Sequence, residues 1–177
     1  MNGLYRFSPI ADEEQLREAI KYIHVYCHKL CKQSLGKYLP VAGNIGVFCH
    51  YDGEYEFLTN IRKELTNTSD NWNQKYFCLY SPIVIPAKSD ILETTYTYLY
   101  IRKPDARHAQ VGDLDFYMEP EQYATFKQSL REGKHIKGAS ILNRPDLDLI
   151  ELSDPDIDAV AYIGAKTMAE NVKENKV

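Results

Sequence analysis

Residues 93–103, ETTYTYLYIRK, and residues 111–118, VGDLDFYM, decide the fold class. The first stretch is rich in threonine and tyrosine and holds no glycine or proline, which is the composition of a β-strand. In the second, Leu114, Phe116 and Met118 alternate with Asp113, Asp115 and Tyr117, so the two sets point to opposite faces of a strand. The intervening PDARHAQ predicts a hairpin between the two. By the same alternation Leu99 and Ile101 face a core, while Tyr96, Tyr98, Tyr100 and Arg102 share the polar face with the aspartates. A hairpin closed around Arg107-His108 sets Arg102 opposite Asp113, Tyr100 opposite Asp115 and Tyr98 opposite Tyr117.

Working outward, Ser8-Pro9 followed by ADEEQ predicts the start of a long helix that ends before Gly36. Leu16, Ala19, Ile20, Ile23, Cys27 and Leu30 form its apolar stripe. VFCH reads as a short buried strand, followed by a helix over 54–66 with Asp52 as its cap. KYFCLYSPIVIP is a strand whose prolines place it at a sheet edge. Downstream, Glu119-Pro120-Glu121 opens a third helix that stops at Gly133. A strand lies within ILNRPDLDLIEL, and Asp154-Pro155 predicts a fourth helix to about Lys173.

The order α-β-α-β-β-β-α-β-α implies an α+β fold with a mixed, mainly antiparallel sheet and helices packed mostly on one face. No internal repeat or linker is visible. Residues 1–172 read as a single globular domain and 173–177 as a frayed polar tail.

The chain of 177 residues is 44% hydrophobic and 26% charged, the balance of an ordinary globular protein. A net charge of -4 gives no reason to expect non-specific binding to duplex nucleic acid, which needs lysine and arginine along the phosphates. No basic leader with an apolar core opens the chain and no apolar run reaches membrane-spanning length, so no membrane association and a soluble, cytoplasmic location are expected. The four cysteines have no paired CxxC spacing and read as reduced thiols. Fourteen tyrosines against six phenylalanines favour half-buried or ligand-facing surfaces.

The polar face therefore reads as a binding platform for a small polar or phosphorylated molecule, built from Tyr96, Tyr98, Tyr100, Arg102 and Tyr117 and extended by Tyr76 and Tyr80. The structural alternative is an exposed sheet stabilised by cross-strand pairs alone. Asp113 and Asp115 are the candidate catalytic acids, with His50 at the end of its strand a candidate base. Over four residues DLDF resembles the acidic strand of nucleotidyltransferases, and the glycine-serine turn of that family is missing upstream. The resemblance implies a phosphoryl-transfer or nuclease-like enzyme in which Asp113 and Asp115 hold Mg²⁺ or Mn²⁺. The residues alone lead us to expect no cofactor or metal, and they leave open whether the protein is an enzyme. A protein–protein module using the tyrosine-rich sheet is a third reading.

Two further groups carry potential chemistry. His24, Cys27, His28 and Cys31 lie on adjacent rows of the first helix, where one helix cannot surround a metal, so the expectation is small buried cysteines beside half-exposed histidines. Asp146 and Asp148 form a second alternating acidic pair, expected on separate solvent-facing positions.

Overall fold

The computed structural model describes residues 5–69, 75–142, 144 and 147–174. Eleven elements follow along these residues: α1 (Glu13–Leu35), β1 (Val41–Phe48), α2 (Asp52–Leu65), β2 (Phe77–Ile85), β3 (Thr94–Arg102), β4 (Gly112–Tyr117), α3 (Pro120–Arg131), β5 (Ala139–Ile141), β6 (Ile150–Leu152), β7 (Ala159–Gly164) and α4 (Met168–Glu174). The seven strands make one sheet in the order β2-β3-β1-β4-β7-β6-β5. It is a mixed sheet: β1·β3 and β4·β7 are parallel, and the other pairs are antiparallel.

That order hides a duplication. β1-α2-β2-β3 forms one strand-helix-strand-strand unit whose first and last strands pair in parallel, and β4-α3-β6-β7 repeats it, with β5 added at the edge. The two units join antiparallel through β1 and β4. No residue repetition announces this, because each position is set by what it packs against rather than by its place in the unit.

The sheet therefore differs from the expected hairpin. β1 inserts between β3 and β4, so the pairing of Arg102 with Asp113, Tyr100 with Asp115 and Tyr98 with Tyr117 is replaced by Arg102 with Phe48, Tyr100 with Gly46 and Tyr98 with Asn44. The physical reason is burial. β1 has five consecutive buried residues at its end and belongs in the middle of the sheet, which the loop from Lys103 to Val111 is long enough to permit.

α1 lies across the middle of one sheet face, and its buried stripe of Leu16, Ala19, Ile20, Ile23, Cys27 and Leu30 meets Ile45, Leu99, Leu114, Phe116 and Ile163. Its true N-cap is Asp12, whose carboxylate accepts from the Gln15 amide at 2.8 Å, four residues after the Ser8 start read from sequence. Gly36 closes it in the left-handed region, φ 72°, where its amide donates back to the Lys32 carbonyl. α2 starts at Asp52 itself, with Tyr51 at the cap position.

The last third of the chain departs most from expectation. The helix expected from Asp154-Pro155 is replaced by a turn and β7, and only Met168–Glu174 is helical. AVAYIG offers alanines that suit a helix, yet five of its six residues are buried, as a strand between β4 and β6 with α1 beneath it requires. Of the expected polar tail, Lys173 and Glu174 end α4 and 175–177 lie outside the described residues. Among the described residues no helix is long and apolar enough to cross a membrane.

Candidate functional site

Residues paired across neighbouring strands share a face, so the register assembles the side of the sheet opposite α1. One row reads Tyr100, Gly46, Asp113 and Val160, and the next carries Tyr98, Asn44, Asp115, Tyr162 and Glu151. Asp113 and Asp115 thus sit side by side near the seam between the two repeated units. Tyr76, just before β2, reaches over them: its ring centroid is 6.0 Å from that of Tyr100, and both carboxylates act on its hydroxyl.

Gly46 explains how a carboxylate lies flat in the middle of a sheet. A Cβ at this position would stand 1.9 Å from Asp113 Oδ1. Glycine is required for that close approach. Asn44 Nδ2 donates to Asp115 Oδ2 at 2.8 Å. Asp113 Oδ1 and Asn44 Oδ1 are buried and have no hydrogen-bond donor among the described residues.

Burial raises the pKa of both aspartates above the ordinary carboxylate range, and for Asp113 the neighbouring Asp115 adds to the rise. Arg102, a hydrogen bond from the Asp113 amide, and Lys75 oppose it for Asp113, and the Asn44 amide opposes it for Asp115. Burial also raises Tyr76, Tyr100 and Tyr162; both aspartates add to Tyr76 and Tyr162, and Asp113 adds to Tyr100. The five groups form one electrostatic unit, on which Arg102 and, at Asp113, Lys75 act as positive charges.

Arg102 is already engaged. Its guanidinium lies 4.7 Å from the Phe48 ring centre and 3.6 Å from Asp105. Asp105 also takes two hydrogen bonds from the Arg107 side chain, at 3.0 and 2.9 Å, which with its amide hold its pKa well down. The loop that carries Arg107 and His108 is therefore partly neutralised from within.

The remaining candidates fall elsewhere. Tyr96 is fully buried on the α1 side, its hydroxyl 2.8 Å from His24 Nδ1. This corrects its place on the polar face: Tyr96 and Leu99 both face the helices, so alternation breaks between them, opposite the register shift in β2. Tyr117 keeps to the polar face, beyond Asp115, where burial and the acids Glu119 and Glu170 raise its hydroxyl. Tyr80 is exposed on the edge strand. His50 Nδ1 is 2.6 Å from Ser8 Oγ, and the ring stacks on Tyr5 with centroids 3.9 Å apart. Burial lowers its pKa, and Nε2 has no partner.

Asp148 accepts from the Tyr123 hydroxyl at 2.7 Å and pairs with Lys127, while Asp146 lies outside the described residues. Among the described residues no group of three or more His, Cys, Asp and Glu is placed to hold a metal ion. Asn44, Gly46, Tyr162 and Glu151 complete the site and escaped sequence reading. Asn44 and Gly46 left a signal: a polar residue and a glycine inside the apolar run AGNIGVF mark a close backbone approach.

No protein-family model and no curated protein matches this chain. Among solved structures, one described as "Structural Genomics, Protein EC4020" is 15% identical, aligns over 98% of both chains and has a TM-score of 0.58, which shows a shared fold. A Streptomyces coelicolor methylmalonyl-CoA epimerase in complex with 2-nitronate-propionyl-CoA is 18% identical over 72% of this chain and 99% of its own, with a TM-score of 0.33. A methylmalonyl-CoA epimerase in complex with methylmalonyl-CoA and NH4+ is 18% identical over 73% of this chain and 97% of its own, with a TM-score of 0.31. Scores this low carry neither fold nor function from the epimerases to this protein.

Proposed function

We propose that the polar sheet face binds a small organic cation, with Asp113 and Asp115 as its counter-charge and Tyr76, Tyr100 and Tyr162 as its walls. The observation that carries this reading is Asp113 Oδ1, a buried carboxyl oxygen with no hydrogen-bond partner among the described residues, beside a second carboxyl. Ionising this pair without a partner is costly, so the free protein holds a proton there; an arriving cation displaces that proton and supplies the partner. Tyrosine faces attract the same cation through their ring quadrupoles, as in the aromatic cages that hold quaternary ammonium groups.

Of the ligand chemistries legible in the sequence, the polar one is supported over the phosphorylated one. A phosphate brings negative charge to two carboxylates, and the nearest guanidinium, Arg102, is engaged with Phe48 and Asp105. The reading is of binding and assigns no reaction to Asp113, Asp115 or His50.

Thermal melting with tetraethylammonium, inorganic phosphate and Mn²⁺ as separate additives tests it. A ligand at 100 times its Kd stabilises the native state by about 2.7 kcal/mol. The melting temperature is expected to rise with tetraethylammonium, and the rise to vanish in Asp113→Asn and shrink in Tyr76→Ala. A rise with phosphate alone overturns the reading. A rise with Mn²⁺ alone, lost in Asp113→Asn and Asp115→Asn, replaces it with the metal-dependent one.

A further inference from the structure

A second cavity, of about 1060 Å³, lies on the other side of the sheet, between the outer flank of α1 and the arm formed by β2 and the turn that leads to β3. Leu16 and Ile20 of α1 face Leu79 and Ile83 of β2 across it, with Leu99 at its floor. Leu99 is fully buried and points away from the aspartate face, so the two sites share a sheet but no wall.

Charge is distributed unevenly along its length. At the N-terminal end of α1 the lining cations are neutralised within the helix: Arg17 binds Glu13 at 2.6 Å and Lys21 binds Glu18 at 2.7 Å. At the other end Lys29 and Lys32 lie over the rings of Tyr26 and Tyr38, at 5.6 and 5.0 Å, and Lys29 also acts on the Asp154 carboxylate. Lys88, on the turn of the arm, lines the same end. Asp90 also stands there and is engaged with the Tyr38 hydroxyl. The cavity thus has an apolar, charge-balanced end and a cationic end.

From Leu16 to Lys32 the helix rises about 24 Å, close to the length of an extended acyl chain of roughly 16 to 18 carbons. The volume lies at the upper end of what small-molecule sites occupy. We propose that this cavity binds a free long-chain fatty acid, its chain along Val25, Ile83, Val84 and Ile85, the apolar lining still open to water, and its carboxylate among Lys29, Lys32 and Lys88. The lysines draw the carboxylate by charge, and the chain is held by removal of apolar surface from water.

The experiment is calorimetric titration of the delipidated full-length chain with palmitate, octanoate and palmityl alcohol. Palmitate is expected to bind one per chain. Octanoate is expected to bind at least about a hundred-fold more weakly, because each buried methylene contributes a few-fold in affinity. Palmityl alcohol, which lacks the charge, and the variant Lys29→Glu/Lys32→Glu with palmitate, are each expected to lose at least about ten-fold. Ile83→Asp, a change on the half-exposed arm at a residue that packs on the edge of the core, is expected to abolish binding while circular dichroism and the melting transition show the variant folded. Equal affinity for acid and alcohol, palmitate binding unaffected by Ile83→Asp, or absence of palmitate binding overturns the proposal. So does a concentration-dependent dimer whose formation blocks palmitate, since the cavity is then an interface between copies.

Discussion

The two faces of this sheet bury polar groups on opposite terms. On the α1 side His24 Nδ1 meets the Tyr96 hydroxyl, and His28 Nδ1 donates to the His24 carbonyl at 2.7 Å. Cys27 and Cys31 donate to the carbonyls of Val160 and Lys37 at 3.3 and 3.4 Å. Each group has a partner, and burial lowers the imidazoles and raises the thiols, so all four rest in their neutral forms. On the other face Asp113 Oδ1 and Asn44 Oδ1 have no donor among the described residues. Buried polar groups in native structures are nearly always hydrogen-bonded, so a satisfied cluster marks architecture and an unsatisfied one marks a place kept for something else. The histidine-cysteine cluster, which by spacing alone looks like chemistry, is core; the aspartate site holds two unpartnered oxygens on adjacent rows, where His50 Nε2, Thr59 Oγ1 and Gln110 Oε1 are the other buried polar atoms without a partner among the described residues.

The sharpest way to break that contrast is Gly46→Ala. Its Cβ would collide with Asp113 Oδ1 and stand 3.0 Å from Cγ, so the carboxylate or the strand must move. The expected loss is about 1–3 kcal/mol in urea denaturation, the range for overpacking. In an Asp113→Ala background the obstacle is gone, and the same substitution should lose at least about 1 kcal/mol less. Additive effects of the two changes would mean that Gly46 is not there to seat the carboxylate.

Tyr96→Phe tests the satisfied side. It leaves the shape intact and strips the partner from His24 Nδ1, for an expected loss of about 1–2 kcal/mol. A loss near zero would show that the buried imidazole does not depend on that hydroxyl, and the claim that this face is balanced would fail.

These contrasts also mark how far the sequence could be read. The helix stripe of α1 and its stop at Gly36 were legible because periodicity and capping are local. So was the sharing of one face by Asp113 and Asp115, since alternation on a regular strand needs only neighbours. The insertion of β1 between β3 and β4 was not legible, because strand order is decided by which strand is buried on both sides. β7 was misread for the same reason: AVAYIG carries helix formers, and only its place beneath α1 makes it a strand. Tyr96 was lost to an irregularity in the β2–β3 pairing that no spacing rule reveals. The site itself was half visible. Its acids and Tyr100 came from alternation, and Tyr76 as an extension of them, whereas Asn44, Gly46, Tyr162 and Glu151 belong to strands that sequence could not place beside β4.

The smallest expected effect carries the opposite sign on the two faces, and pH separates them. His24 is pushed down to about 4 from an ordinary 6.5, mainly by burial. Between those values the unfolded chain binds a proton that the folded one does not, so the contribution of His24 to stability is full at neutral pH and lost as pH falls from 6.5 toward 4. For Asp113 and Asp115 the folded pKa is raised from 3.8. There the folded chain keeps protons that the unfolded chain has released, so the pair favours folding less and less as pH rises above about 4. Asp113→Asn removes one of the two buried charges and lets an amide face Asp115. It is expected to leave stability unchanged at pH 4 and to raise it by an amount on the order of 1 kcal/mol at pH 8, a gain that grows with pH. Melting curves of parent and variant from pH 4 to pH 8 read this directly, with His24 common to both and cancelling in the difference. A difference that is flat with pH, or that favours the parent at pH 8, would mean that Asp113 is ionised and satisfied in the free protein. In that case the two faces would bury their polar groups alike, and the cation reading would lose the observation on which it stands.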